Sequence, residues 1–91
     1  MIKYKDVIYL GFKRTDAIDK VWLDTYGYEY FYLEKTLLKC KKGIKIVAIW
    51  EPEDGDVRIV KTDRDGNILS SISFDDKHQF MEWYDFFNGN K

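Results

Sequence analysis

The sequence predicts an α+β domain: an antiparallel β-meander of about four strands, one helix near residues 15–26, and a C-terminal helix near residues 76–87, both packed on the sheet. Two patterns carry this prediction. Short runs of β-branched and other apolar residues alternate with turn residues between positions 44 and 74. After residue 75 the apolar residues change to helical spacing. A chain of 91 residues is expected to form a single domain, 1–91.

The first two predicted elements lie before residue 27. Residues 4–12 are rich in β-branched and aromatic side chains, which predicts a strand with a bulge at Gly11. Thr15 follows as a helix N-cap, and Asp16 and Asp19 favour the positive end of the helix dipole. Apolar residues then recur at helical spacing until Gly27. The pattern predicts a short amphipathic helix.

Residues 28–42 fit two patterns. With a period of two, the three tyrosines between residues 28 and 32 share one strand face, while Leu33 and Leu37 share the other. With a period of 3.6, Leu33, Leu37 and Cys40 form a helical stripe that would end at Gly43. We favour a strand for residues 28–34 and leave residues 35–42 open between helix and strand.

The rest of the chain predicts three strands and a helix. Residues 44–50, 57–62 and 68–74 have strand composition, and turns are predicted at 51–56 and 63–67. Asp65 and Gly66 favour a type I′ hairpin turn, which needs positive φ at both central residues. Asp75 or Asp76 can cap the last helix. Its apolar stripe contains Phe80, Trp83, Tyr84 and Phe87, and it is expected to end at Asn88 and Gly89.

Composition limits the compartment and the chemistry. Cys40 is the only cysteine, so no internal disulfide and no multi-cysteine zinc site can form. No apolar run reaches the roughly 20 residues of a membrane-spanning helix, and the N-terminus has no apolar stretch of signal-peptide length. The net charge of −1 gives no overall attraction to polyanions. We therefore expect a cytoplasmic protein that contacts no membrane.

Candidate reactive residues are few. His78 is the only histidine, and we expect it to be solvated on the surface of the last helix. Cys40 lies among lysines that would favour a thiolate, but we expect it to fill a small apolar site. An EF-hand loop starting at Asp63 would need glycine sixth and glutamate twelfth, whereas glycine is fourth and Phe74 is twelfth. We expect no catalysis, no metal and no cofactor.

The sixteen aromatic residues indicate binding to a partner. Tyrosine and tryptophan are enriched at protein interfaces, and acidic turns beside them suit a basic partner. The leading hypothesis is a non-catalytic protein-interaction module, for example an inhibitor that blocks a nucleic-acid-handling host protein. Small inhibitors from phages and mobile elements have a similar size and composition. The expected partner-binding residues are Tyr28, Tyr30, Tyr32, Glu51, Glu53, Asp54, Asp56, Asp63 and Asp65.

Two other functions fit the same segment. Basic residues next to aromatic residues are used in single-stranded nucleic-acid binding, where bases stack on rings and lysines neutralise phosphates. The residues for this alternative are Tyr30, Tyr32, Lys39, Lys41, Lys42 and Lys45. Residues 28–34 could also pair across a two-fold axis and form a homodimer.

Overall fold

The computed structural model describes residues 1–17, 30–53 and 55–89. Within these residues five strands form one antiparallel sheet in chain order: β1 (Lys13–Ala17), β2 (Tyr30–Lys39), β3 (Lys45–Trp50), β4 (Val57–Thr62) and β5 (Ile68–Phe74). Helix α1 (Tyr4–Tyr9) precedes the sheet, and helix α2 (Lys77–Gly89) follows it. The predicted α+β class and antiparallel meander are confirmed, with five strands where about four were expected.

The predicted strand at residues 4–12 is wrong, because α1 forms there. The Asp6 carboxylate accepts a hydrogen bond from the backbone N–H of Lys3 at 3.0 Å, which satisfies one of the free donors at the helix start. Val7 is fully buried, whereas Tyr4 and Ile8 are exposed. Capping and burial of one helix face outweigh the strand propensity of these residues.

Gly11 ends α1 and does not form a bulge. It has a φ of 94°, in the left-handed region that favours glycine. Its N–H donates to the carbonyl of Ile8 at 3.0 Å, and the N–H of Phe12 donates to the carbonyl of Val7 at 3.2 Å. This pair of bonds is the Schellman motif, which satisfies the last carbonyls of a helix.

The predicted helix near residues 15–26 is wrong at its start. Thr15 lies in β1 and pairs with Tyr32, and its hydroxyl donates to Glu34 Oε1 at 3.3 Å. Thr15 is therefore a strand residue and not an N-cap. Residues 18–26 of this prediction, including Asp19, lie outside the described residues.

The strand prediction for residues 28–34 is confirmed from Tyr30 onward, and β2 continues to Lys39. Leu33 and Leu37 are both buried. The register with β3 shifts between Thr36 and Leu38, so Leu37 is an unpaired residue at an irregularity. The four-residue spacing of Leu33 and Leu37 fits both a strand and a helix, which explains the ambiguity in the sequence.

The hairpin between β4 and β5 is confirmed, but its predicted type I′ turn is wrong. Among the described residues only glycines have positive φ, so Asp65 does not. The N–H of Gly66, with a φ of 89°, donates to the carbonyl of Asp63 at 3.1 Å. A turn that ends in one left-handed glycine is the common three-residue hairpin loop.

The prediction for the last helix is confirmed. The N–H of Gln79 donates to Asp76 Oδ1 at 3.0 Å, so Asp76 is the capping residue. Phe80 and Tyr84 are buried, and Trp83 and Phe87 pack against the core. The helix runs through Asn88 to Gly89, the last described residue.

Both helices lie on one face of the sheet. Leu33, Trp50, Val57 and Phe74 are opposite one another across β2 to β5, so they form a row on a single face. The ring of Tyr4 in α1 contacts Trp50 at a centroid distance of 6.0 Å. The ring of Phe80 in α2 contacts Phe74 at 6.0 Å. The core therefore lies between this row and the two helices.

The side chains of Lys35 and Trp50 form hydrogen bonds that hold the N-terminal region against the sheet. The Lys35 ammonium group donates to the carbonyl of Leu10 at 2.9 Å and to the hydroxyl of Tyr84 at 2.5 Å. It thereby joins the end of α1, the sheet and α2. The indole N–H of Trp50 donates to the carbonyl of Ile2 at 2.9 Å. Lys35 is half-buried.

We predict that Lys35→Met lowers the free energy of unfolding by about 1–3 kcal/mol, because it leaves the Tyr84 hydroxyl and the Leu10 carbonyl without this donor. Urea denaturation measures the change. The matched control is Lys39→Met, an exposed lysine on the same strand, which should stay within about 0.5 kcal/mol of the wild type. Equal losses in the two variants would contradict this role for Lys35.

Candidate interaction surface

Antiparallel pairing places the predicted partner-binding residues at opposite ends of the sheet. Leu33 pairs with Trp50, so the start of β2 and the turn at 51–56 share one end, here called the acidic end. Lys45 pairs with Thr62, so the turns at 40–44 and 63–67 share the other end, here called the lysine end. The six residues of β4 span about 20 Å between the two ends. The two acidic turns therefore do not form one site.

The acidic end collects part of the predicted set. Glu51 and Asp56 are half-buried and line a small pocket together with Arg58, while Glu53 is exposed. The guanidinium of Arg58 offsets part of the negative charge in this pocket. Tyr30 is the first residue of β2, and Tyr32 is half-buried two residues later. Tyr28 and Asp54 lie outside the described residues.

The lysine end carries the basic residues of the nucleic-acid alternative. These residues are all exposed: Lys39, Lys41, Lys42 and Lys45. The two turns at this end touch, since a Cβ on Gly43 would collide with the Cβ of Arg64. Lys39 follows Tyr32 by seven positions, or about 23 Å of strand. The structure therefore separates the tyrosines from the lysines that were expected to act with them.

Asp63 is a structural residue of its own turn. Its carboxylate accepts hydrogen bonds from the N–H groups of Asp65 and Asn67, both at 2.9 Å, and from the Asn67 amide at 3.1 Å. The Asn67 side chain and backbone hold the pKa of the Asp63 carboxyl below its usual value. Asp65 is exposed. Of the two predicted carboxylates in this turn, one is already occupied by hydrogen bonds within the turn.

His78 and Cys40 both lie on the surface. His78 is exposed and lies 3.5 Å from Glu82 Oε1, one helical turn away, so the predicted solvated position is confirmed. The prediction that Cys40 fills an apolar site is wrong, because β2 ends at Lys39 and Cys40 lies exposed in the following turn. The described residues contain no group of three or more His, Cys, Asp and Glu that could hold a metal ion. None of the helices described is long and apolar enough to cross a membrane.

The outer side of β5 is a candidate binding surface that the sequence did not indicate. β5 is the last strand in the order of the described sheet, and six of its seven residues are exposed. The large apolar residues among them are Ile68 (62% exposed), Leu69 (52%) and Ile72 (51%). An edge strand also presents a row of backbone N–H and C=O groups that do not pair with β4. This surface, residues 68–74, is here called the open edge.

Helix α2 extends the open edge with aromatic side chains. The rings of Phe74 and Trp83 are 5.7 Å apart, so Trp83 lies on the side of α2 that faces β5. Phe86 follows Trp83 by three residues, which places it on a neighbouring part of the same helix surface, and it is 71% exposed. Ile72 points to the helix face of the sheet, because it pairs with the buried Ile59. The apolar surface thus continues from the strand onto the helix.

The two outer strands of the described sheet differ in charge. β1 has five residues, KRTDA, of which Lys13, Arg14 and Asp16 are charged. Short, charged outer strands are a common protection against unwanted strand pairing. β5 has seven residues, ILSSISF, with no charge and no proline. The absence of charge in residues 68–74 is visible in the sequence and could have indicated this surface. However, the sequence does not show which strand lies at the edge of the sheet, because strand order depends on the topology.

Comparison with known proteins does not identify the function. No protein-family model, no curated protein and no solved structure matches this chain. The candidate site therefore rests on the exposure, charge and topology of the described residues.

We predict that Asp63→Asn changes how stability depends on pH. The folded-state pKa of Asp63 is lowered, so its contribution to stability is present above the unfolded value, near 3.8, and is lost as the pH falls below it. The Oδ1 of an asparagine can still accept the two backbone hydrogen bonds, but its NH2 group cannot accept the bond from the Asn67 amide, and the side chain does not titrate. Urea midpoints at pH 7, 5 and 3 should show that Asp63→Asn is less stable than the wild type at pH 7 and that the difference becomes smaller at pH 3. A stability difference between Asp63→Asn and the wild type that is the same at pH 7 and pH 3 would contradict this role.

Proposed function

We propose that this protein is a non-catalytic interaction module that binds a partner by adding β5 to the partner's β-structure. The observation that carries the proposal is the open edge, with its uncharged strand and three large, exposed apolar side chains. In strand addition the backbone hydrogen bonds supply affinity, and the side chains beside them supply specificity. In water-soluble proteins, exposed apolar surface of this kind is typical of interaction sites.

The aromatic residues of α2 support the proposal. Phe86 is a large side chain that is mostly exposed, and Trp83 and Phe87 stack at a centroid distance of 5.1 Å beside β5. Aromatic anchors at the centre of an interface often dominate its binding energy. A partner strand paired with β5 would lie next to these aromatic side chains and could contact both the strand and α2.

The narrower hypothesis, an inhibitor that covers the basic surface of a nucleic-acid-handling protein, draws on the acidic end. β5 ends at Phe74, which lies in line with Val57 and Trp50, so the open edge and the acidic end adjoin. Glu51, Glu53 and Asp56 would then speed association with a basic partner. Asp63 contributes little to this hypothesis, because hydrogen bonds already occupy its carboxylate.

The nucleic-acid alternative has weaker support. Its lysines are exposed together at the lysine end, which favours contact with a polyanion. However, they lie beside Asp63 and Asp65 and about 23 Å of strand away from Tyr32. Stacking and phosphate contacts would therefore occur at different places on the molecule.

We predict that Ile72→Lys abolishes partner capture, because a charge on an outer strand opposes strand pairing. The tagged wild type, Ile72→Lys and the matched control Gln79→Lys, an exposed residue on α2, are each incubated with a lysate of the source organism, with and without nuclease. A stoichiometric protein should remain on the wild type and the control after nuclease treatment and should be lost from Ile72→Lys.

Two results would contradict the proposal. Capture of the same protein by Ile72→Lys would show that the open edge is not the binding surface. Recovery that disappears with nuclease in all three samples would favour the nucleic-acid alternative. Circular dichroism of each variant confirms that the substituted proteins are folded before capture.

A further inference from the structure

We infer that the open edge pairs with the open edge of a second copy of this chain, in antiparallel orientation about a two-fold axis. This inference rests on the proposed function, because it uses the same strand and names its partner. The pairing would join the two five-stranded sheets into one continuous sheet. It differs from a dimer through residues 28–34, because Leu33 and Glu34 in that segment already pair with both β1 and β3.

The strand itself is suited to an identical partner. β5 contains no charged residue, so no antiparallel register opposes like charges within the paired strands. It exposes apolar side chains that a second copy can cover with the same residues, which is the requirement for an isologous interface. A partner strand with charged side chains would find no complementary charge on β5.

The two ends of the sheet favour the antiparallel orientation. In that orientation the acidic end of one copy lies beside the lysine end of the other. The acidic end carries Glu51, Glu53 and Asp56, followed by Asp75 and Asp76 after β5. The lysine end has a net positive charge, with its four exposed lysines and Arg64 outweighing Asp63 and Asp65. Opposite charges at both ends of the seam would set the orientation of the pair.

The helices lie on the same side of such a pair. A two-fold axis perpendicular to the sheet keeps both α2 helices on one face, one on each side of the seam. Ile72, which is on that face and about half exposed, lies between them. The flank formed by Trp83 and Phe86 faces the same region, so each copy can cover apolar surface that the other exposes.

The charged β1 favours a closed pair over a filament. If β5 of one copy paired with β1 of the next, the copies would form an open chain. The short β1 carries Lys13, Arg14 and Asp16, which would face the uncharged β5. This mismatch opposes head-to-tail growth and leaves β5 with β5 as the matched pairing.

Sedimentation equilibrium of the purified protein between roughly 1 μM and 1 mM tests the inference. The wild type and Gln79→Lys should show a monomer–dimer equilibrium with equal dissociation constants. Ile72→Lys should weaken the dimer at least about tenfold. Leu69→Lys is a second variant at a position that is half exposed, and it should weaken the dimer as well.

Three results would overturn the inference: a wild type that stays monomeric throughout the range, a dimer that neither lysine variant weakens, or growth into open oligomers larger than a dimer. A monomeric wild type combined with Ile72-dependent capture from the lysate would leave the proposed function in place, with a different protein as the partner. Loss of Ile72 dependence in both experiments would remove the proposed function and the inference together.

Discussion

The contact of the Lys35 ammonium group with both helices is the interaction on which this arrangement depends. One nitrogen bonds to the carbonyl of Leu10 after α1 and to the hydroxyl of Tyr84 in α2. The lysine extends from the middle of β2, so both helices are held over the same face of the sheet. A charged hydrogen bond of this kind contributes more than a neutral one, and its partners would be left unsatisfied without it.

The two helices cover only part of this sheet face, and β5 lies where the covered part ends. The ring of Phe74 packs under Phe80 and Trp83, whereas Ile72, two residues earlier on the same strand, is half exposed. The outer backbone of β5 therefore lies beside a partly covered apolar flank. Strand pairing and apolar contact are available at one place, which is the physical basis of the proposed interaction module.

The sequence predicted the elements that are determined by local patterns. The strands from β3 to β5 alternate or contain dense β-branched residues, and Asp76 followed by an apolar stripe specified α2. The errors arose where distant contacts decide the structure. Residues 4–12 have strand composition, but residues 4–9 form α1, because Val7 and Phe12 are buried in the core and Gly11 supplies a helix end. The role of Lys35 could not be predicted, because its partners, Leu10 and Tyr84, are distant in sequence. The open edge was not predicted for the same reason, since strand order is a property of the whole sheet.

Hydrogen exchange of the β5 amides tests the central claim most directly. In an antiparallel edge strand, alternate N–H groups point away from the neighbouring strand, so half of the β5 amides should exchange rapidly in dilute protein. These amides should become protected when the protein is concentrated or when a captured partner is added, while the exchange of the turns at 40–44 and 51–56 stays unchanged. Protection that appears at either turn and not at residues 68–74 would contradict it.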